Sequence, residues 1–144
     1  MAYRVIRHVS IAELGELWPQ CLPHLRESME VGGNDYTPSD VLAMCLLGKA
    51  QVWVNQGESI RFCVVFKIDT WTQGVGTLPD KRVAIVILGG GEGLLEAFDQ
   101  CTDDMAEWAR ANQCTELRIH GRMGWRKLAR PGDRLSLSFS RSIL

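Results

Sequence analysis

The chain has 144 residues, 46% of them hydrophobic, which is enough for one domain spanning residues 1–144 around a real core. Sixteen lysines and arginines stand against seventeen aspartates and glutamates, a formal net charge of −1, so no bulk field draws the chain onto nucleic acid or an anionic membrane. Five cysteines without a CxxC pair and three scattered histidines lack metal-ligand spacing, and no run approaches a membrane span or a signal peptide, so a reduced, cytoplasmic setting is expected.

In chain order, "YRVIRHV" predicts a short strand, and Ser10 with Glu13 has the spacing of a capping box, so a helix begins near Ile11. Leu14, Leu17, Trp18 and Cys21 recur at helical spacing, and Pro19 is expected to bend or divide that helix. "TPSD" supplies Thr37 as an N-cap with Pro38 at the first helical position, and Gly48 is placed to end the second helix. The period then changes to two. "QVWV" reads as a strand, and "SIRFCVVFKIDTW" puts Ile60, Phe62, Val64, Phe66 and Ile68 on one face and Arg61, Lys67 and Asp69 on the other.

"TQGVGTLPDK" reads as a loop, and "RVAIVIL" is apolar on both faces, as a strand covered on each side should be. After "GGGEG", read as a loop, Leu94, Phe98, Cys101, Met105 and Trp108 form the stripe of an amphipathic helix. "CTELRIH" predicts another strand, "GRMGWRKLAR" a short helix or turn, and "RLSLSFSRSI" one half-exposed final strand. The order predicts an α/β (α+β) domain with a mixed sheet and packed helices.

The glycine stretch 89–93 follows a buried strand and opens a helix. Unpaired N–H groups and the positive helix end there could hold a pyrophosphate, or the glycines could serve only a backbone corner. Glu92 would favour the helix dipole and repel a bound phosphate. Residues 92–116 carry a local balance of −6 and residues 117–144 one of +6, either a basic surface for a phosphate-bearing ligand or two solvated faces. In "GRMGW", Arg122 offers a planar fork for phosphate or carboxylate, and Trp125 either covers a ligand or closes the core. Glu92 and His120 are the candidates for a general base.

"RVAIVIL", "GGGEG" and "LLEAFDQCTDDMAEWARANQC", with the later "TELRIHGRMGWRKLARPGD", resemble in order the GNAT fold of acyl-CoA-dependent N-acetyltransferases. "NDY", "GKAQVWV", "GGGEG", "AEWARANQCTELRIHGRMGW" and "PGD" together are similar to small GNAT-like proteins of tailed bacteriophages. The resemblance implies a mostly antiparallel sheet with helices on both faces. It also implies acetyl-CoA as cofactor, held by Leu88, Gly89, Gly90, Gly91, Gly93, Arg122 and Trp125, and transfer of an acyl group to an amine with Glu92 or His120 as base. The alternative it carries is a catalytically silent phage protein, a virion component or binder of a host protein, in the host cytoplasm or the virion; nucleic acid and membrane are not expected partners. The chain departs from the family in two places. The glycines lack the leading Arg or Gln of the usual cofactor loop, and its tyrosines, Tyr3 and Tyr36, leave Trp125 where the acid that protonates the departing thiolate is usually sought.

Overall fold

Both expected helix starts form, the one at Thr37 also as a capping box. Glu13 N donates to Ser10 Oγ at 3.3 Å while Ser10 N reaches Glu13 Oε1 at 3.4 Å, and Asp40 N and Thr37 N bond each other's side chains at 3.2 Å. These satisfy orphan N–H groups and start α1 (Ile11–Val31) and α2 (Pro38–Leu46). The structure, a computed structural model, describes residues 5–31, 36–71, 81–119, 131, 134–135 and 139–143.

Pro19 does not divide α1, which runs unbroken through both Pro19 and Pro23. Both prolines are exposed, so the carbonyls of Gly15 and Pro19 that lose their intrahelical donors lie on the side open to water. Helix α2 ends as expected at Gly48, whose φ of 75° suits glycine. The N–H groups of Gly48 and Lys49 close a Schellman motif on Cys45 and Met44. Helix α3 (Leu94–Ala111) ends in the same motif, there with Gln113 in the left-handed region at φ 65°.

Among the described residues, seven strands form one sheet: β1 (Val5–His8), β2 (Ala50–Gln56), β3 (Phe62–Trp71), β4 (Lys81–Gly91), β5 (Glu116–Ile119), β6 (Arg134–Leu135) and β7 (Phe139–Ser142), in the order β1-β2-β3-β4-β5-β7-β6. Every neighbouring pair is antiparallel except β4 with β5. That one parallel pair requires a crossover, which α3 supplies. The expected single C-terminal strand is instead two: Leu135 pairs with Phe139 and Arg134 with Ser140, because a period of two fits one long strand and two short ones folded back equally well.

The sheet is covered on both faces. Phe62, Val64 and Phe66 face α3 with Ala84 and Val86, while Cys63 and Val65 join Val52 and Val54 under α1 and α2. Phe62 and Phe66 are fully buried, each contributing about 1.5–3 kcal/mol of transfer free energy. Ile60 does not share their face: it precedes β3 and packs with the α1/α2 cluster, since the turn before the strand breaks the alternation.

Candidate functional site

Strand β4 changes character halfway along. Up to Val86 it pairs in parallel with β5, the last described pair being Val86 with Ile119. On its other side a bulge interrupts the ladder to β3: Phe66 faces Val86 and Val65 faces Leu88, leaving Ile87 as the extra residue. A bulge turns the following residues to the other face. Val86 lies in the cluster under α3, whereas Ile87 and Leu88 pack toward α1. Beyond the bulge the Gly89 N–H donates to Ser28 Oγ of α1 at 3.3 Å.

The stretch 89–93, expected as a loop, is mostly strand. Gly89, Gly90 and Gly91 continue β4 and pair with Val64, Cys63 and Phe62; only Glu92 and Gly93 form the turn into α3. Two of these glycines have packing reasons. A β-carbon on Gly90 would run into the carbonyl oxygen of His24, and one on Gly91 into the carbonyl of Arg61 and, at 2.6 Å, the Cα of Phe62. Gly91 also has φ 116°, a backbone open to glycine. Gly93, at φ 85°, occupies the N-cap of α3 without a side-chain cap, so the first-turn N–H groups of a helix of 18 residues face outward from a bare backbone corner.

Around this corner stand residues that the sequence reading did not single out. Arg61, exposed, accepts the Glu92 N–H on its carbonyl at 2.8 Å, which places a cation's backbone directly beside the turn. It is held there by Asn55, 2% exposed, whose Oδ1 accepts Arg61 N at 2.7 Å and Phe62 N at 2.9 Å while its Nδ2 donates to Ser59 O at 3.1 Å. His24, half-buried on α1, contacts Ile60 O through Nε2 at 2.7 Å. A carbonyl only accepts, so that nitrogen carries the proton and Nδ1 is left as the basic one. No motif could have announced His24, Ser28 or Arg61, since they reach the corner from elements distant in sequence.

Glu92 is exposed at the corner, and Glu96 is exposed in the first turn of α3. Of the other expected site residues, Leu88 is buried at the bulge and Gly89 to Gly93 sit as described, whereas His120, Arg122 and Trp125 lie outside the described residues.

No family model matches the chain, and no curated protein matches it. Solved structures do. A GNAT family acetyltransferase from Brucella melitensis in complex with acetyl-CoA is 11% identical with a TM-score of 0.58, covering 96% of this chain and 86% of that one. FeeM, an N-acyl amino acid synthase from uncultured soil microbes, is 16% identical with a TM-score of 0.57, covering 96% and 88%. A ribosomal-protein-alanine N-acetyltransferase from Brucella melitensis biovar Abortus is 16% identical with a TM-score of 0.56, covering 92% and 94%. The fold of this chain is therefore the GNAT fold. These three are bacterial or soil-microbe proteins, and nothing in them bears on the resemblance to phage proteins.

Proposed function

We propose that the chain is an acyl-CoA-dependent N-acyltransferase acting on an amine. The observation that carries this reading is the bulged end of β4: a strand whose last described pair with β5 is Val86 with Ile119, and which bulges at Ile87 and runs through Gly91 and Gly93 into the bare N-terminus of α3. The fold shared with an acetyl-CoA-bound acetyltransferase supports it.

The residues present fit a pyrophosphate at that corner. The first-turn N–H groups of α3 carry no side-chain cap, the helix's partial positive charge lies at the turn, and the exposed Arg61, whose carbonyl receives the Glu92 N–H, would be the cation to stand in for the missing leading Arg or Gln. Bound acyl-CoA supplies an activated thioester. The chain's part would be to hold that thioester along β4, where backbone N–H groups past the bulge, other than that of Gly89 which Ser28 accepts, would polarise the carbonyl oxygen for attack by an amine. A base must take the proton the amine loses. Nδ1 of His24 joins Glu92 and His120 as a group to test, and solvent would return a proton to the departing thiolate.

A second reading is a catalytically silent GNAT-fold protein that binds another protein. Its support is Glu92 and Glu96, two carboxylates against a helix N-terminus whose first turn carries no lysine or arginine, together with the sequence resemblance to GNAT-like phage proteins.

Thermal unfolding with and without acetyl-CoA separates the two. The first reading expects stabilisation that grows with the logarithm of ligand concentration. An unchanged midpoint at millimolar acetyl-CoA overturns it and leaves the silent reading.

A further inference from the structure

At the opposite end of β4 lies a recess of about 540 Å³, within the range of small-molecule sites. Its walls include Lys49, Gln51, Lys67, Asp69, Arg82 and Trp108. From Arg82 to Gly91 the strand advances about 30 Å, so the recess is remote from the α3 corner.

The charges in the recess do not cancel. Asp69 is answered by Lys67 at 3.3 Å, which leaves Lys49 and Arg82 as net positive charge. Arg82 is pinned: its Nε donates to Asn112 O at 3.0 Å and its Nη1 to Thr70 Oγ1 at 3.4 Å. A guanidinium has five N–H donors in a rigid fork, so this one keeps donors for a ligand while its position is already fixed.

The aromatic wall is fixed too. Trp108 meets Phe66 edge-on at 5.4 Å and 75° and the His8 ring at 5.3 Å. Gln51 is tied at both ends, its Oε1 to His8 Nε2 at 2.9 Å and its Nε2 to Gly48 O at 3.2 Å. The half-buried Trp108 and Arg82, the latter held at the Asn112 carbonyl, both line the recess. A cation fork and an aromatic side chain, each fixed by its own contacts, thus line one recess before any ligand arrives, which reduces the ordering cost of binding.

We infer that this recess is a second binding site, for a small planar organic anion of the aromatic carboxylate class: the carboxylate is taken by Arg82 and Lys49, and the ring lies against Trp108. The inference does not rest on the acyltransferase reading.

The test is fluorine NMR of 4-fluorobenzoate titrated with the full chain, with 4-fluorobenzylamine as the charge-reversed control and acetyl-CoA as a competitor. The expected result is saturable broadening of the benzoate signal with a dissociation constant of about 1 mM or below and none for the amine. Lys49→Glu, at an exposed position, weakens binding by about fivefold or more, and Trp108→Leu, with its fold checked by circular dichroism, does the same. Acetyl-CoA leaves the benzoate bound. Absence of broadening at about 10 mM, equal binding of the amine, unchanged affinity in Lys49→Glu, or displacement by acetyl-CoA would each overturn it.

Discussion

The carbonyl oxygen of His24 in α1 fills the space that a β-carbon on Gly90 of β4 would need. Both sides of that contact are backbone, so neither can swing away. Gly90→Ala should therefore cost about 1–3 kcal/mol in urea unfolding, the usual range for overpacking. Gly15 provides the internal control: it lies in the interior of α1, a β-carbon there would meet nothing within 4 Å, and Gly15→Ala should stabilise by about 0.5–1 kcal/mol. If the two substitutions behave alike, α1 does not press on β4 as described.

Asn55 carries the turn that presents Arg61. Asn55→Ala leaves the N–H groups of Arg61 and Phe62 without their acceptor, and Phe62 is fully buried. The expected loss is about 1–3 kcal/mol for the buried donor, read as a lowered denaturation midpoint with an unchanged m-value. A loss within measurement error would mean that the turn finds another acceptor.

Glu116 opens β5 between two cations, with Lys81 Nζ at 2.6 Å and Arg118 Nε at 2.7 Å. Burial pushes its carboxyl up, but hydrogen bonds from Arg118 and then Lys81 outweigh burial and leave it below the ordinary carboxylate value. A depressed folded pKa contributes stability above the unfolded value near 4.5, and that contribution disappears as pH falls through the folded value. Glu116→Gln should thus be less stable than the parent at pH 7, with the gap narrowing steadily in acid. A gap independent of pH would assign the loss to packing rather than charge.

The elements were largely legible in the sequence, because their signals are local: a capping box at Ser10, an N-cap at Thr37, glycine at the end of α2, the stripe from Leu94 to Trp108. What local signals cannot carry is contact across the sheet. The same glycines that read equally as a phosphate cradle or a plain corner proved to include two required by His24, Arg61 and Phe62, from α1 and the approach to β3. Arg61 itself read as one more outward charge on an alternating strand, since nothing in its neighbours says that its carbonyl receives Glu92. The bulge at Ile87 is equally silent, because an uninterrupted apolar run looks the same with or without an extra residue.

The buried thiols offer a check on the core that is independent of function. Burial, aided by the neighbouring Cys21, pushes Cys45 up to about 12, and burial with the charge of Asp104 does the same for Cys101. At pH 8 only about one part in ten thousand of each is thiolate, and the thiolate is the reactive form. Ellman's reagent should therefore leave both unmodified in the native protein and label them on unfolding, with mass spectrometry of digested samples assigning the sites. Rapid native labelling of either cysteine would contradict the packing under α1 and α3.

Charge at the α3 corner decides between the two functional readings more finely than binding alone. Arg61, Glu92 and Glu96 are all exposed, so each alters the local potential without burying or stranding a partner, and each is worth about 0.3–1 kcal/mol toward a phosphate at a helix N-terminus. If the pyrophosphate of acetyl-CoA sits there, Arg61→Gln weakens binding by about two- to fivefold while Glu92→Gln and Glu96→Gln strengthen it by similar factors, and all three effects shrink with added salt. Opposite signs for the cation and the anions, measured by calorimetry at two salt concentrations, are a pattern that general destabilisation cannot imitate. Three affinities equal to the parent would move the phosphates away from this corner, and the role assigned to Gly93 and the first turn of α3 would go with them.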